Sequence, residues 1–160
     1  MFVLLCIKLE EIENVESVSL PPGAHFVMTL KNSVGEDVRE NVVVDPGEQH
    51  DLDNSRGTAN FRLKWDRSSK HQAYMNCEAV KGVTRDIKAD DANKFVPIMG
   101  FECRGLEPVS YQPETFIVKS KGGQTFEADL SEGEWADYDE KLGESVSIMG
   151  IEAMFKVHKK

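Results

Sequence analysis

Cysteine is scarce in this chain, and what there is does not come in pairs. The three cysteines, Cys6, Cys77 and Cys103, are an odd number at wide spacings. This pattern argues against the disulfide framework that holds many small secreted domains together, and it suits a reducing compartment. We therefore expect free thiols and a cytoplasmic protein.

Positive charge is also in short supply. The chain carries 19 Lys and Arg against 28 Asp and Glu, a net charge of −9 with a pI near 5.0. A protein of this balance has no long-range field to attract phosphates or anionic lipid. Nucleic acid and membrane surfaces are therefore not expected as partners.

Long hydrophobic runs are missing as well. The most apolar stretch, residues 2–7, lacks a basic segment before it, is short for a signal sequence and continues into charged residues. We interpret it as a buried strand. The composition is 40% hydrophobic and 29% charged, which is typical of a chain that buries a core.

Helical spacing is rare, and alternation of apolar and polar residues dominates. In residues 26–31, Phe26, Met28 and Leu30 share one face. Residues 59–65 alternate in the same way, which predicts that Asn60, Arg62 and Lys64 face solvent, opposite the apolar set Ala59, Phe61, Leu63 and Trp65. Turn-forming clusters separate these runs, as at Lys121-Gly122-Gly123. The pattern predicts a mainly β, sandwich- or barrel-like protein. Further strands are predicted at 42–44, 73–80, 96–104, 115–119, 125–130, 145–149 and 151–157, and one short helix or turn at 89–94 with Asp90 as its cap.

The two halves of the chain resemble each other. Residues 7–15 align with residues 101–109, and Val44, Gly47, Glu48, Asp51, Asp53 and Gly57 recur at one offset as Leu130, Gly133, Glu134, Asp137, Asp139 and Gly143. We predict two pseudo-repeated antiparallel β lobes, residues 1–84 and 95–160. A polar linker, residues 85–94, joins them. Each lobe is too small to bury much surface alone, so we expect them to pack face to face in a monomer.

Catalytic motifs are absent from the sequence. No nucleophile elbow, zinc-protease helix, phosphate loop or dinucleotide fingerprint occurs. Strand alternation points Cys103 inward with Phe101, which predicts an inert buried thiol. We expect no enzyme, although an enzyme with an unrecognised site, built from distant residues, stays an alternative.

An acidic cluster at 132–140, interleaved with Trp135 and Tyr138, could suggest calcium. An EF-hand loop needs Gly at position six and Glu at position twelve. Counted from Asp137, Gly143 is at position seven and Ile148 at position twelve, so the cluster does not fit this loop. We favour an ordered turn whose Asp side chains accept backbone N–H bonds. Trp135 and Tyr138 either offer a docking surface or cover the core, and we favour the second.

Several C-terminal motifs carry a family resemblance. They are residues 101–109, Gln112-Pro113, residues 135–141 and Glu144-Ser145-Val146. With these motifs the chain resembles the eukaryotic CXXC-motif-containing zinc-binding proteins, which are small, mostly β and uncharacterised. The resemblance runs nearly end to end.

The resemblance implies a four-thiolate zinc site built from two Cys-x-x-Cys pairs. It places Lys31 and Val34 at the first pair and Trp65 and Ser68 at the second, so the site is degenerate here. No cofactor is expected, although zinc at a rebuilt site stays an alternative. We predict that an apolar plug of Val34, Phe61 and Trp65 replaces the metal. The candidate ligands of a rebuilt site are His25, His71 and Cys77.

We predict a non-catalytic protein-interaction module with an unidentified protein partner. Its interaction surface would combine the segment 104–108, which we interpret as a turn, with the acidic cluster. The residues are Arg104, Gly105, Leu106, Glu107, Pro108, Trp135, Asp137, Tyr138 and Asp139.

Overall fold

The computed structural model describes residues 1–53 and 56–159. It confirms a mainly β protein with several antiparallel sheets. The only helical element in the described residues is a 3₁₀ turn at Ala89–Asp91. The strands are β1 (Phe2–Glu13), β2 (Val15–Ser19), β3 (Phe26–Asn32), β4 (Val38–Val44), β5 (His50–Asp51), β6 (Thr58–Ala59), β7 (Phe61–Leu63), β8 (Ala73–Glu78), β9 (Ile87–Lys88), β10 (Val96–Arg104), β11 (Leu106–Gln112), β12 (Thr115–Ser120), β13 (Thr125–Asp129), β14 (Glu134–Asp139) and β15 (Glu144–Val157).

Strand β1 lies at the centre of the largest sheet, whose order is β14-β15-β1-β10-β8-β7. Its first six residues, the apolar run of the sequence, are all buried, because both faces of this part of the sheet are covered. On one face Leu5 and Ile7 enter the main core. On the other, Phe2, Leu4 and Cys6 pack with Val80 and Val83. The run is therefore a buried strand, as predicted.

Two further sheets complete the core. Their orders are β11-β3-β4 and β13-β12-β2-β9. Phe26 of β3 meets Phe101 of β10 edge to face, with ring centroids 5.1 Å apart. Each of the three larger sheets combines strands from residues 1–84 with strands from residues 95–160. The two ranges thus share sheets rather than only facing each other, and the boundary between lobes stays a prediction.

The strand order is symmetric about the pair β1–β10. On either side of this pair lie β15 and β14, and β8 and β7. In the smaller sheets, β3 pairs with β4 and β11, while β12 pairs with β13 and β2. The hairpins β3–β4 and β12–β13 therefore hold corresponding places, as do β7–β8 and β14–β15. The sequence repeat itself stays a prediction.

Two segments that we interpreted as turns, residues 104–108 and the acidic cluster at 132–140, consist largely of strand. In the first, β10 ends at Arg104 and β11 begins at Leu106, so Gly105, with φ of +73°, is the only residue between the two strands. The first part of the acidic cluster is β14, whose Trp135 packs inward from the sheet edge. Asn60, predicted to face solvent, is buried. Its side chain bonds the carbonyls of Pro46 and Glu48 and accepts the Cys77 N–H, so a polar residue is satisfied inside.

The segment 85–94 is held by an ion pair rather than by the predicted Asp90 cap. The Arg85 guanidinium binds both carboxylate oxygens of Asp91, at 2.7 and 2.9 Å. Asp91 also accepts the N–H of Lys88 at 2.8 Å. The Arg85 hydrogen bonds lower the pKa of Asp91 to about 2. Because Asp91 is buried and Asp90 is not, Asp91 is the residue that stabilises the 3₁₀ turn.

We expect Arg85→Met to lower the free energy of unfolding at pH 7 by about 1–2 kcal/mol, a value that allows for the exposed guanidinium. The depressed pKa of Asp91 stabilises the fold above pH 4, and this stabilisation is lost as the pH falls towards 2. Urea unfolding at pH 7 and pH 3 should therefore show a smaller deficit at pH 3. Arg67→Met, which removes an exposed arginine without an ion pair among the described residues, is the control. An equal deficit at both pH values would contradict the assignment.

Within residues 1–53 and 56–159 the structure contains no helix long and apolar enough to cross a membrane.

Candidate functional site

A cleft of about 840 Å³ opens where three connections between strands meet. These connections are the β3–β4 hairpin, the loop from β7 to β8 and the turn from β10 to β11. The first two contain the four positions that the resemblance assigns to zinc ligands. The lining residues are Asn32, Val34, Leu52, Asp53, Trp65, Asp66, Ser69, Lys70, His71, Gln72, Ala73, Tyr74, Arg104 and Gly105.

The carbonyl oxygen of Gly105 joins the three connections. It accepts the indole N–H of Trp65 at 2.8 Å and the backbone N–H of Ser33 at 3.4 Å. Gly105 is required here, because its φ is +73° and an added Cβ would lie 3.2 Å from the Cβ of Ala73. A backbone oxygen therefore links the two loops that the resemblance links through zinc.

Arg39 of β4 makes a second link to the β7–β8 loop. Its guanidinium lies 5.8 Å from the centroid of the Trp65 ring and donates to the carbonyl of Lys64 at 3.4 Å. A cation over an indole face is attractive by about 0.5–1 kcal/mol at exposed sites. Two contacts, the indole hydrogen bond and this cation–π contact, thus hold the Trp65 ring at the cleft wall.

The residues at the four family positions do not fit a zinc ion. Trp65 offers only an N–H donor, and this donor is bonded to Gly105. Lys31 is a cation and Val34 has no lone pair. The Ser68 hydroxyl is bonded to the Asp66 carboxylate at 2.6 Å. Tetrahedral structural zinc needs thiolate or imidazole donors, and none stands at these positions. That these positions correspond to the family's ligands stays a prediction.

The predicted apolar plug is wrong for Val34. This side chain is 94% exposed, because the Asn32 side chain accepts the Val34 N–H and holds the hairpin tip as a tight turn outside the core. Phe61 and Trp65 are half-buried and pack against the main core, as the plug required. The two loops are thus linked by hydrogen bonds and a cation–π contact, with apolar packing beneath.

The three residues proposed for a rebuilt zinc site each have a different environment. His25 pairs with Glu114 at 3.0 Å, and Cys77 packs against the core. Burial raises the pKa of the Cys77 thiol to about 12, which disfavours the thiolate that binds metal. His71 lines the cleft. Across the described parts of the chain, no group of three or more His, Cys, Asp or Glu could hold a metal ion.

The serine and histidine that line the cleft do not form the hydrogen-bonded chain that nucleophilic catalysis requires. Ser69 and His71 both line it. The Ser69 hydroxyl accepts the N–H of Asp66, and Asp66 accepts from Ser68, so no serine–histidine–carboxylate chain forms among the described residues. Cys103 is buried in the core beside Phe101, as predicted, and burial raises the pKa of its thiol to about 12.

The predicted interaction surface is divided between two ends of the molecule. Glu102, two residues before Arg104, pairs with Phe2 at the start of β1. Glu134 of β14 pairs with Met149, which pairs with Glu11 near the end of β1. From Phe2 to Glu11 the distance along the strand is roughly 30 Å at about 3.3 Å per residue. The two segments therefore do not form one surface.

Several members of that predicted surface are also inaccessible. Leu106, Pro108 and Asp139 are buried, and Glu107 is half-buried. Trp135 is half-buried and meets Phe126 edge to face at 5.5 Å, so it covers the core as we favoured. The exposed members are Arg104 and Gly105 at the cleft, and Asp137 and Tyr138 on the edge strand β14.

Asp139 holds together two hairpins at the other end of β1. Its carboxylate accepts the hydroxyl of Ser120 and the N–H groups of Lys141 and Leu142. These bonds, with Ser120 first, lower the pKa of Asp139. The carboxylate joins the β12–β13 hairpin to the β14–β15 hairpin, which correspond in strand order to the two hairpins at the cleft. Asp139 is the last residue of β14, and its side chain accepts backbone N–H bonds from the turn that follows, as we predicted for the Asp side chains of this cluster.

The chain is similar in sequence to named proteins from other organisms. A Bos taurus protein named CXXC motif containing zinc binding protein is 36% identical over 107 residues, which cover 65% of each chain. The chain thus spans about two thirds of that relative's length. A Drosophila melanogaster protein named UPF0587 protein CG4646 is 32% identical over 152 residues, 92% of this chain and 90% of that one.

Two solved structures share the fold along the whole chain. A hypothetical protein from Plasmodium falciparum superposes with a TM-score of 0.89 at 26% identity, covering 98% of this chain and 99% of that one. The structure named C1orf123 gives a TM-score of 0.85 at 26% identity, with coverage of 98% and 100%. The family model described as "CXXC motif containing zinc binding protein, eukaryotic" matches residues 4–156. The chain belongs to this family.

Proposed function

We propose that this protein is a non-catalytic protein-binding module, and that the cleft is its binding site. The observation that carries the proposal is the Gly105 carbonyl, which links the two loops of the cleft directly by accepting the Trp65 indole N–H and the Ser33 N–H. A link that consists of backbone and side-chain hydrogen bonds leaves the cleft walls in place when metal is removed. Binding should therefore not depend on zinc.

The shape and lining of the cleft support binding rather than chemistry. Its volume lies within the range of about 300–1,000 Å³ that is typical of ligand sites. Trp65 and Tyr74 supply aromatic surface, and aromatic residues contribute strongly to protein interfaces. The cleft also contains Arg104, one of the exposed residues of the surface predicted from the sequence.

Affinity purification with matched variants tests this proposal. Proteins retained from the native cell by the wild-type chain should be lost by Arg104→Glu and kept by Asp137→Lys, an opposite charge change at the far end of β1. Retention should be unchanged by EDTA. Loss with Asp137→Lys alone would place the binding surface on β14. Loss with EDTA would favour a zinc protein with a rebuilt site.

A further inference from the structure

The cleft, counted together with the charged side chains that contact its lining, carries an excess of positive charge, although the chain as a whole is acidic. Lys70 and Arg104 line it, and neither has an ion pair with another described residue. Of the two lining carboxylates, Asp53 is paired with Lys64 at 3.4 Å and lies 4.0 Å from Arg62. Asp66 accepts the N–H and the hydroxyl of Ser68, and these bonds lower its pKa, so it remains a charged carboxylate of the lining.

The lining itself holds two cations and two carboxylates. The charged side chains that contact a lining residue bring the total to five cations against three carboxylates; they are Arg39, Arg62, Lys64 and Asp37. In a chain of net charge −9, a concave site with two unpaired cations is a local reversal of sign. Such a site attracts a segment of negative charge, and it repels basic segments that the rest of the surface would attract.

The aromatic residues add a second requirement for the ligand. Tyr74 of β8 lies between Arg62 of β7 and Arg104 of β10 in the sheet register, so the three side chains share one face. Trp65 is held in place by Gly105 and Arg39. A fixed aromatic surface between cations suits an apolar or aromatic side chain flanked by carboxylates.

Building on the proposed function, we infer that the cleft binds an acidic peptide segment of a partner protein, one with an aromatic or large apolar residue among its carboxylates. Lys70 and Arg104 come from different elements, so they contact carboxylates at separate positions along the peptide. The apolar residue packs against Trp65 and Tyr74. The exposed Val34 at the rim offers further apolar contact.

Fluorescence anisotropy with the full chain tests this inference. The probe is a fluorescein-labelled peptide with glutamates on both sides of one central phenylalanine. We expect micromolar binding that weakens with salt. Replacing the glutamates by glutamines, or the phenylalanine by alanine, should lower affinity at least about tenfold, equivalent to about 1.4 kcal/mol. Because the chain has two tryptophans, Trp135→Phe leaves Trp65 as the sole reporter, and its emission should change on binding.

Charge variants locate the site. Arg104→Glu and Lys70→Glu should each weaken binding at least about fivefold. Lys121→Glu makes the same charge change on the exposed β12–β13 hairpin and should have no effect. Equal weakening by all three variants would overturn the assignment to the cleft. Displacement of the peptide by inorganic phosphate at matched charge would overturn the peptide as ligand.

The two proposals fail in different ways. If the probe does not bind while Arg104→Glu still loses cellular partners, the acidic ligand is wrong and the binding function stands. If the probe binds in the cleft but no cellular protein depends on Arg104, the ligand chemistry stands and the function as a protein-binding module fails.

Discussion

A chain with cysteine introduced at the four predicted ligand positions is expected to bind one zinc ion tightly, where the wild-type sequence offers no thiolate. The variant combines Lys31→Cys, Val34→Cys, Trp65→Cys and Ser68→Cys. These positions lie on the two loops that Gly105 brings together. Four thiolates on facing loops are the donor set of structural zinc, whose apparent binding free energy in small domains is about 10–16 kcal/mol. We expect stoichiometric zinc by elemental analysis.

This zinc should also change the stability of the variant. Without metal the variant lacks the Trp65 hydrogen bond and the Arg39 contact, so it should unfold more easily than the wild type. With zinc its melting temperature should rise by more than about 10 °C, because a ligand that binds only the folded state stabilises it.

The matched control removes the same contacts without adding thiols. It carries Lys31→Ser, Val34→Ser and Trp65→Ser, with Ser68 unchanged. This control should be as unstable as the metal-free variant and should not respond to zinc. If the four-cysteine chain binds no more zinc than the control, the four positions are not the family's ligand positions.

Removing the Asp139 carboxylate is expected to cause a larger loss of stability than any other single substitution on β14. Asp139→Ala leaves the Ser120 hydroxyl and the N–H groups of Lys141 and Leu142 without their acceptor inside the protein. The Ser120 hydroxyl is fully buried, and a buried donor without a partner is costly, whereas the exposed Lys141 and Leu142 can bond to water. We expect the melting temperature to fall by about 10 °C or more.

Two substitutions around Asp139 test the cause. Asp137→Ala removes a neighbouring exposed carboxylate on the same strand, and it should change the melting temperature by less than about 2 °C. Gly122→Ala places a Cβ against the carboxylate of Asp139 with no room for it, so it should destabilise the protein in the same way as Asp139→Ala. Equal effects of Asp137→Ala and Asp139→Ala would contradict the assigned role.

The effect of Asp139 should depend on pH. Its pKa is lowered in the folded state, so it stabilises the fold fully above its unfolded pKa near 4. This stabilisation is lost as the pH falls through the folded pKa. The difference between wild type and Asp139→Asn, which cannot ionise, should therefore shrink below pH 4. Thermal denaturation from pH 7 to pH 3 measures it.

The strand pattern was the part of the fold that local sequence could predict. Apolar alternation placed β3, β10 and β12, because a half-buried strand selects side chains by face. It missed β14, because this edge strand has little apolar alternation: its inward residues are Trp135 and the buried Asp139, and the face with Glu134, Ala136 and Tyr138 is exposed. It also divided β15 at Gly150, whose φ of +94° interrupts the pattern without ending the strand.

The cleft was largely beyond sequence reasoning. The sequence pointed to Trp65 through the family resemblance, but the partner of its indole is a backbone carbonyl, which carries no sequence signal. Arg39 contacts Trp65 across a wide separation in the chain, and no local pattern links them. The alternation that placed Asn60 outside failed because neighbouring backbone groups satisfy its amide.

By itself the amino-acid sequence determined a mainly β chain of this family, with isolated cysteines and no thiol pair to hold zinc. These properties follow from residue identity and local spacing. Only the tertiary structure decided that Asp139 is buried while Val34 is exposed, and that the cations Lys70 and Arg104 share a cleft. The burial of a side chain and the distance between two charges depend on how strands far apart in the sequence pair. Here strands from before and after residues 85–94 pair in the same sheets.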